Sequence, residues 1–357
     1  MKTYKILGLM SGTSLDGLDL ACCHFNTRKG HWEYEIIAAR SIPYERDMKD
    51  RLRDAIFLNG EELLLLHNEY GTWLGDQSLS FIKENALQVD FIASHGHTSH
   101  HRPGKGLTFQ LGSGQHLATA SGLPTLCDFR TLDVALGGQG APLVPIGDRL
   151  LFGTYDFCLN LGGISNISFE QQGDRIAFDI GPANMLLNYL CRDLDKGYDE
   201  DGLMARKGNL LPGLFAALNQ LEYYRLPFPK STGYEWFLQE VAPLLERSDE
   251  AREDLLNTGV HHICEQVAEC LKKFGREGGQ TLLVTGGGAL NPYLLEVLQA
   301  RLGPGTQLKV PDRLLIEMKE ALVFAFMGVL RMEGKTNVLS SVTGAARDSC
   351  SGVLYRP

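Results

Sequence analysis

Residues 5–25 read KILGLMSGTSLDGLDLACCHF, and the fold follows from how this stretch is read. Its two apolar runs, 5–9 and 18–25, have strand composition, and between them sit Ser11, Gly12, Thr13, Ser14, Asp16 and Gly17. Glycine lets a backbone come close to a ligand, and small hydroxyls add donors without bulk. A hairpin tip of this composition is suited to wrapping a polyphosphate with main-chain N–H groups and hydroxyls, with Asp16 or Asp19 holding a hydrated magnesium ion. The same residues also suit an ordinary polar β-turn stitched by Asx and Ser/Thr side-chain bonds. The phosphate reading gains weight because two more glycine-rich turns follow apolar runs later, at 162–166 and 286–288.

The second half of the chain repeats the plan of the first. A strand over 155–161 is followed by a GGISN turn at 162–166 and a return strand from 167. A further strand, 175–178, ends in DIGPAN (179–184), and the spacing then predicts a helix over 185–194 with Asn184 as its cap. The strand 281–285 runs into GGG and a helix over 292–302. That arrangement suits a nucleotide lying across the helix N-terminus, and it lacks the GxGxxG of a dinucleotide site.

Between these landmarks, 32–40 reads as a third strand, and 47–58 and 61–86 as helices with apolar residues at three- and four-residue spacing. A short strand over 91–94 delivers SHGHTSHHRP to its C-terminal end, where open α/β sheets bind ligands. His95, His97, His100 and His101 invite a metal reading, but zinc sites usually add Cys or carboxylate ligands and paired spacings such as HxxxH. A substrate-contacting loop is the reading adopted, with a merely solvated loop as its alternative. A strand over 124–130 precedes the glycine turn 137–142, taken as the hinge into a second domain. The expected domains are 1–135, joined by 338–357, and 136–337. Helices over 236–242, 251–274 and 317–331 and loops over 199–208 and 226–233 complete the chain.

Composition narrows the function. The chain has 357 residues, 44% of them hydrophobic, enough for two cores. Its net charge of −9 and lack of a basic run argue against nucleic-acid binding. No apolar run approaches the ~18 residues of a membrane span, and no signal peptide opens the chain, so the expected location is cytoplasmic. The eight cysteines show no CxxC pair and read as reduced, mostly buried thiols.

Taken together, GLMSGTSLDGLDLA (8–21), SHGHTSHHRP (94–103), DFRTLDVALGGQGAPLVP (128–145), NLGGISNI (160–167), FDIGPANMLLN (178–188), YDEDGLMARKG (198–208), PKSTGYEWF (229–237), TGGGALNPYLL (285–295) and SVTGA (341–345) closely resemble the anhydro-N-acetylmuramic acid kinases. These belong to the sugar kinase/heat-shock chaperone/actin superfamily, and the resemblance spans essentially the whole chain. It implies an α/β fold of two ribonuclease-H-like domains, with mixed five-stranded sheets flanked by helices around an interdomain cleft. It further implies an enzyme, a homodimer, that uses ATP and magnesium to phosphorylate 1,6-anhydro-N-acetylmuramic acid while a water opens the anhydro ring, in peptidoglycan recycling.

Residue by residue, the resemblance puts the catalytic base at Asp179. The phosphate and adenosine contacts fall on Gly12, Thr13, Ser14, Leu15, Asp16, Gly17, Leu18, Asp19, Gly162, Gly163, Asn166, Gly286, Gly287 and Gly288. Asp16 and Asp19 are the expected magnesium contacts, and His95, His97, Arg130 and Glu320 the expected sugar contacts. The chain departs from the family pattern at His97, where Gln is usual, and at Ser165, Ile180, Ala183 and Tyr234. Two competing functions are a sugar kinase acting on an ordinary hydroxyl and an ATP-driven conformational protein. The latter would act in the manner of actin or the heat-shock chaperones; such chaperones carry a separate peptide-binding domain, for which this sequence leaves no room after the last cleft motif.

Overall fold

The computed structural model describes residues 2–12, 14–28, 30–228, 230–275 and 279–357. Thr13, an expected phosphate contact, lies outside the described residues. The contacts divide the chain into two compact units, Met1–Phe152 with Met318–Pro357, and Gly153–Glu317.

The first unit opens on a meander of β1 (Lys2–Ser11), β2 (Gly17–Arg28) and β3 (His31–Pro43), then α1 (Arg46–Asp54) and α2 (Gly60–Glu84). It continues through β4 (Phe91–Arg102), β5 (Leu107–Leu111), α3 (Gly114–Ser121), β6 (Thr125–Cys127), α4 (Thr131–Ala135) and α5 (Pro145–Leu150). The second unit holds β7 (Phe157–Leu161), β8 (Ile164–Gln171), β9 (Asp174–Pro182), α6 (Asn184–Leu190), α7 (Pro212–Asn219) and α8 (Tyr234–Trp236). After these come α9 (Ala242–Glu246), α10 (Arg252–Phe274), β10 (Gln280–Thr285), α11 (Pro292–Leu302) and β11 (Thr306–Lys309). The chain returns to the first unit through α12 (Arg313–Met332), α13 (Ser340–Thr343) and β12 (Val353–Tyr355).

Both sheets are mixed and share one plan. In the second, the order is β11-β10-β7-β8-β9, with β7 antiparallel to β8, β8 to β9, and β10 parallel to β7 and β11. In the first, the strands β6-β4-β1-β2-β3 have the same order and directions, and β12 and β5 add to that core to make seven. The repeat legible in the sequence is therefore a repeat of topology.

Local chemistry explains the elements that carry the site. α2 starts at a capping box, in which Asn59 Oδ1 accepts from Glu62 N at 3.0 Å and Glu62 Oε2 accepts from Asn59 N at 3.2 Å. Such a cap contributes about 1 kcal/mol. Gly71 and Gly75 let α3 pack close, since a Cβ at Gly71 would stand 2.6 Å from Ser113 O. Under β1 and β2, Leu7, Leu9, Leu18 and Leu20 pack with Tyr70, Leu74 and Leu117. In the second unit Leu159, Ile167, Phe169, Phe178, Val260, Cys264, Leu282 and Val284 share one core. Each such side chain contributes about 1.5–3 kcal/mol by leaving water. Cys22, Cys127 and Cys158 lie buried in β2, β6 and β7.

Four expectations change. The histidine-dense stretch is not a loop: β4 continues to Arg102, because β5 folds back and pairs with it from His97 to Arg102. Asp179 lies within β9 rather than after a strand. Asn184 does not cap α6; it is the first helical residue and its Nδ2 donates to Leu161 O at 3.0 Å. The unit boundary falls at 152/153 and 317/318, where the sequence reading has 135/136 and 337/338. α5 stays with the first unit because a glycine at 147 admits Val323, and because Asp148 forms a buried ion pair with Lys319 at 2.8 Å.

Candidate active site

Strand register builds the centre of the second unit. Thr285 stands beside Asn160, Asn160 beside Asn166, and Asn166 beside Asp179. Directly opposed residues share a face of the sheet, so these four form a polar row across β10, β7, β8 and β9. A register shift between Ser165 and Asn166 skips Ile180 and brings Asp179 into line. The neighbours Leu159, Leu161, Ile167, Phe178 and Ile180 are buried in the core.

Asp179 is held firmly. Its Oδ2 accepts from Ser231 Oγ at 3.0 Å and from Thr232 N at 3.1 Å, and among the described residues none donates to Oδ1. Burial pushes its carboxyl pKa up, and the Thr232 N–H and Ser231 hydroxyl only partly pull it back. A carboxylate raised in this way is a better proton acceptor than a solvated one.

The glycine turns lie beside the row. The carbonyls of Gly162 and Gly163 accept from Asn184 N, Ala183 N and Met185 N at 2.8–3.1 Å and so satisfy the first turn of α6. A Cβ at Gly163 would meet nothing within 4 Å. Gly286 has φ +80°, and a Cβ there would sit 2.5 Å from Asn160 Oδ1, so both conformation and space demand glycine. Gly287 and Gly288 begin a 3-10 turn, Gly287–Leu290, and α11 starts only after it, with Asn291 accepting from Leu294 N at 3.0 Å. Asp179, Asn166, Gly162, Gly163, Gly286, Gly287 and Gly288 therefore belong to one unit.

The remaining sequence candidates belong to the other unit. The β1–β2 tip carries Gly12, Ser14, Leu15 at φ +58° and an exposed Asp16. A Cβ at Gly17 would come 2.3 Å from Ile42 O. Leu18 is fully buried between β1 and β3, and Asp19 is half-buried with Ser41 Oγ donating to it. His97 is buried. Its Nδ1 lies 3.1 Å from Ser11 Oγ, to which Tyr44 Oη donates at 2.7 Å, and burial pushes its pKa down to about 4.

His95 Nδ1 lies 2.8 Å from Gly96 O, which can only accept, so that nitrogen carries the proton. Its Nε2 then accepts from Arg130 Nε at 3.0 Å and Nη2 at 2.8 Å. Both ring nitrogens are engaged, and His95 stands behind Arg130. Burial lowers the Arg130 pKa to about 10, against the opposing pull of Glu320 and Asp133, so the guanidinium stays charged at neutral pH. Glu320 is an exposed residue whose carboxyl pKa is raised by the protein packed around it, lowered by Arg130 and raised again by Asp19. Asp19 and Glu320 thus feel each other's charge.

Magnesium is usually held by one or two carboxylates together with phosphate oxygens and water. Asp19 with Glu320 fits that donor set, although no group of three His, Cys, Asp or Glu among the described residues is placed to hold a metal alone.

Several contacts escaped the sequence reading. Asn160 completes the polar row, and its signal was the symmetry of NLGGISN, with an Asn on each side of the glycine turn. Asp133 accepts from Gly140 N and Thr343 Oγ1, both at 2.7 Å, and so ties the glycine turn to the end of α13. Ser231 and Thr232 were visible only as part of a loop.

The sequence matches the family described as anhydro-N-acetylmuramic acid kinase over residues 4–357. It is 36% identical to the anhydro-N-acetylmuramic acid kinase of Vibrio cholerae, over 98% of each chain. It is 35% identical to that of Xanthomonas campestris pv. campestris, over 98% of this chain and 96% of the other. Among solved structures, component A of the Acidaminococcus fermentans (R)-2-hydroxyglutaryl-CoA dehydratase superposes with a TM-score of 0.45 at 13% identity, over 90% of this chain and 96% of that one. A ROK family protein from Streptococcus pneumoniae gives 0.37 at 14% identity, over 92% and 99%. On the full-length sequence match, the chain belongs to the anhydro-N-acetylmuramic acid kinase family.

Proposed function

We propose that this chain converts 1,6-anhydro-N-acetylmuramic acid, water and ATP to N-acetylmuramic acid 6-phosphate and ADP, as a step in cell-wall recycling. The observation that carries the reading is the Asp179 carboxylate, fixed through Oδ2 by Ser231 and Thr232, raised by burial, and aligned with Asn160 and Asn166. Opening an anhydro ring needs a water made nucleophilic, and a positioned carboxylate of this kind meets that need.

In the proposed reaction Asp179 takes a proton from the water as its oxygen bonds to the anomeric carbon. The bond from that carbon to the bridging oxygen breaks, and the released oxygen, now on C6, takes the γ-phosphoryl group of ATP while ADP leaves. Asn160 and Asn166 orient the water and the phosphoryl oxygens. Main-chain N–H groups of the Gly12 and Gly163 turns take phosphate charge, and the Gly286 turn takes the adenosine. Asp19 and Glu320 would hold magnesium, which would supply positive charge for the phosphates. Arg130, kept in place by His95, pairs with the lactyl carboxylate of the sugar. Asp133 and His97 shape the surroundings without touching the substrate. The working form is a cytoplasmic homodimer.

The test is ADP release from ATP, magnesium and the anhydro-sugar in ¹⁸O-water, for the wild type and Asp179→Asn. Label at the anomeric carbon, with turnover lost in the variant, is the expected result. Turnover without label, or only on ordinary hexoses, would overturn the hydrolytic reading. Sedimentation velocity checks the dimer.

A further inference from the structure

Tyr223, Lys230, Ser231 and Thr232 form a strap that meets Asp179 through four contacts. Tyr223 Oη donates to the Asp179 main-chain O at 2.8 Å, and the Asp179 N–H donates to Lys230 O at 3.1 Å. Ser231 Oγ and Thr232 N hold Oδ2. β9 is the edge strand of its sheet, so its outward main-chain groups have no neighbouring strand, and this strap takes them at Asp179. The strap is also closed on itself. Lys230 Nζ donates to Tyr223 O at 3.1 Å and stands 4.5 Å from the centre of the Tyr223 ring, which also packs against Trp236 at 5.0 Å.

A buried network anchors the strap from behind. Tyr224 lies against Gly181, where a Cβ would come 2.7 Å from the ring. Gln266 Nε2 donates to Asn219 Oδ1 at 2.7 Å, which fixes that oxygen as an acceptor. His262 Nδ1, 2.8 Å from the same oxygen, is therefore a donor, and His262 Nε2 accepts from Tyr224 Oη at 2.9 Å. Every polar atom in this chain of contacts has a consistent role, as a rigid support requires.

We propose that Tyr223 and Lys230 are positioning residues for the reaction: by holding both main-chain groups of Asp179 in one closed strap, they fix the direction in which its Oδ1 faces the water. Neither touches the substrate; they act through Asp179, and the proposal rests on the reading of Asp179 as the base. A general base works only when the reacting atoms are held at near-attack distance, and small displacements are costly in rate. An edge strand left to solvent would not supply that constraint.

The experiment compares Tyr223→Phe and Lys230→Met with Asp179→Asn in the full chain, with ATP and 1,6-anhydro-N-acetylmuramic acid as substrates. Tyr223→Phe removes one hydroxyl and keeps the ring. We expect kcat to fall about tenfold, the scale of one lost hydrogen bond, with KM for ATP unchanged. The acid limb of kcat should move to higher pH. The Ser231 and Thr232 donors favour the ionised carboxylate, and a loosened strap aligns them less well, so Asp179 protonates at higher pH.

In the Asp179→Asn background, Tyr223→Phe should change nothing further. An unchanged kcat and acid limb in Tyr223→Phe, beside an inactive Asp179→Asn, would overturn the strap alone. Loss of kcat only in proportion to lost folded protein, with the acid limb in place, would also overturn it. Wild-type turnover by Asp179→Asn would overturn the base assignment and the strap together.

Discussion

Counted back from the glycine tip, the row across β1, β2 and β3 reads Met10, Asp19 and Ser41, and the row across β7, β8 and β9 reads Asn160, Asn166 and Asp179. The strand order and directions are the same; the place of the acid is not. In the first unit the carboxylate sits on the middle strand, beside Ser41 and within the field of Glu320. In the second it sits on the edge strand, where a strap holds its main chain and one oxygen. A middle-strand acid is flanked by two neighbours and suits a fixed electrostatic role. An edge-strand acid can be gripped from outside and still keep one oxygen open. One topology thus offers two chemistries, chosen by which strand carries the acid.

The sharpest way to break this contrast is to neutralise matching positions. Asp179→Asn should lower kcat by about 10²–10⁴, the usual contribution of a general base. Ser41→Ala, at the corresponding place in the first unit, removes only a donor to Asp19 and should lower kcat less, by about tenfold at most, the scale of one lost hydrogen bond. Initial rates check both, and equal losses would mean that the two rows do the same work. Because burial raises the Asp179 pKa, its ionised form costs stability that the protonated form does not. The Tm of Asp179→Asn near neutral pH should therefore not fall.

Next in size is Arg130→Met, which leaves His95 Nε2 and Gly140 O without their donor. KM for the anhydro-sugar should rise roughly 10–100-fold, the scale of a lost charge-assisted bond, with KM for ATP unmoved. A rise in KM for ATP alone would assign the guanidinium to the nucleotide instead.

A smaller effect comes from the two tips. A Cβ at Gly163 meets nothing within 4 Å, and one at Gly12 meets only Ser14, at 3.4 Å or more. Gly12→Ala and Gly163→Ala should both fold with little change in Tm, yet raise KM for ATP about tenfold if phosphates approach the main chain there. A rise in only one would show that a single hairpin meets the phosphates. Gly286→Ala, at φ +80° and against Asn160, should lower Tm instead.

A last effect, on stability rather than on turnover, concerns acid. His262 stays neutral in the fold, its pKa pushed down to about 3 by burial. The unfolded chain takes up a proton near pH 6.5, so stability is lost as pH falls from about 6.5 towards 3, by up to about 1.4 kcal/mol per unit. Urea midpoints across that range should fall less steeply for His262→Gln than for the wild type. An identical slope would mean that His262 is charged in the fold.

Much of the fold was legible because its determinants are local. KILGLMS and LDLACCHF declare strands through apolar runs that meet at a small polar tip, and β1 and β2 pair as that tip requires. The long helices followed from their apolar spacing. The histidine stretch misled because β4 owes its length to β5, a partner that no window around His95 contains. Asn184 looked like a cap by residue type, but the carbonyls of Gly162 and Gly163 already serve that end of α6.

The sequence alone determined the repeated strand–turn–strand plan and the glycines at both tips, since residue type and backbone demand act over a few positions; it pointed to Asp179 only through the family resemblance. Tertiary structure decided which oxygen of Asp179 is tied, that Arg130 leans on His95, and that Asp19 and Glu320 share a field. Tyr223 reaches Asp179 across 44 positions and Arg130 reaches His95 across 35. Such pairings depend on register, on which strand lies at the edge, and on how a returning segment covers it, and those are settled only when the sheets are assembled.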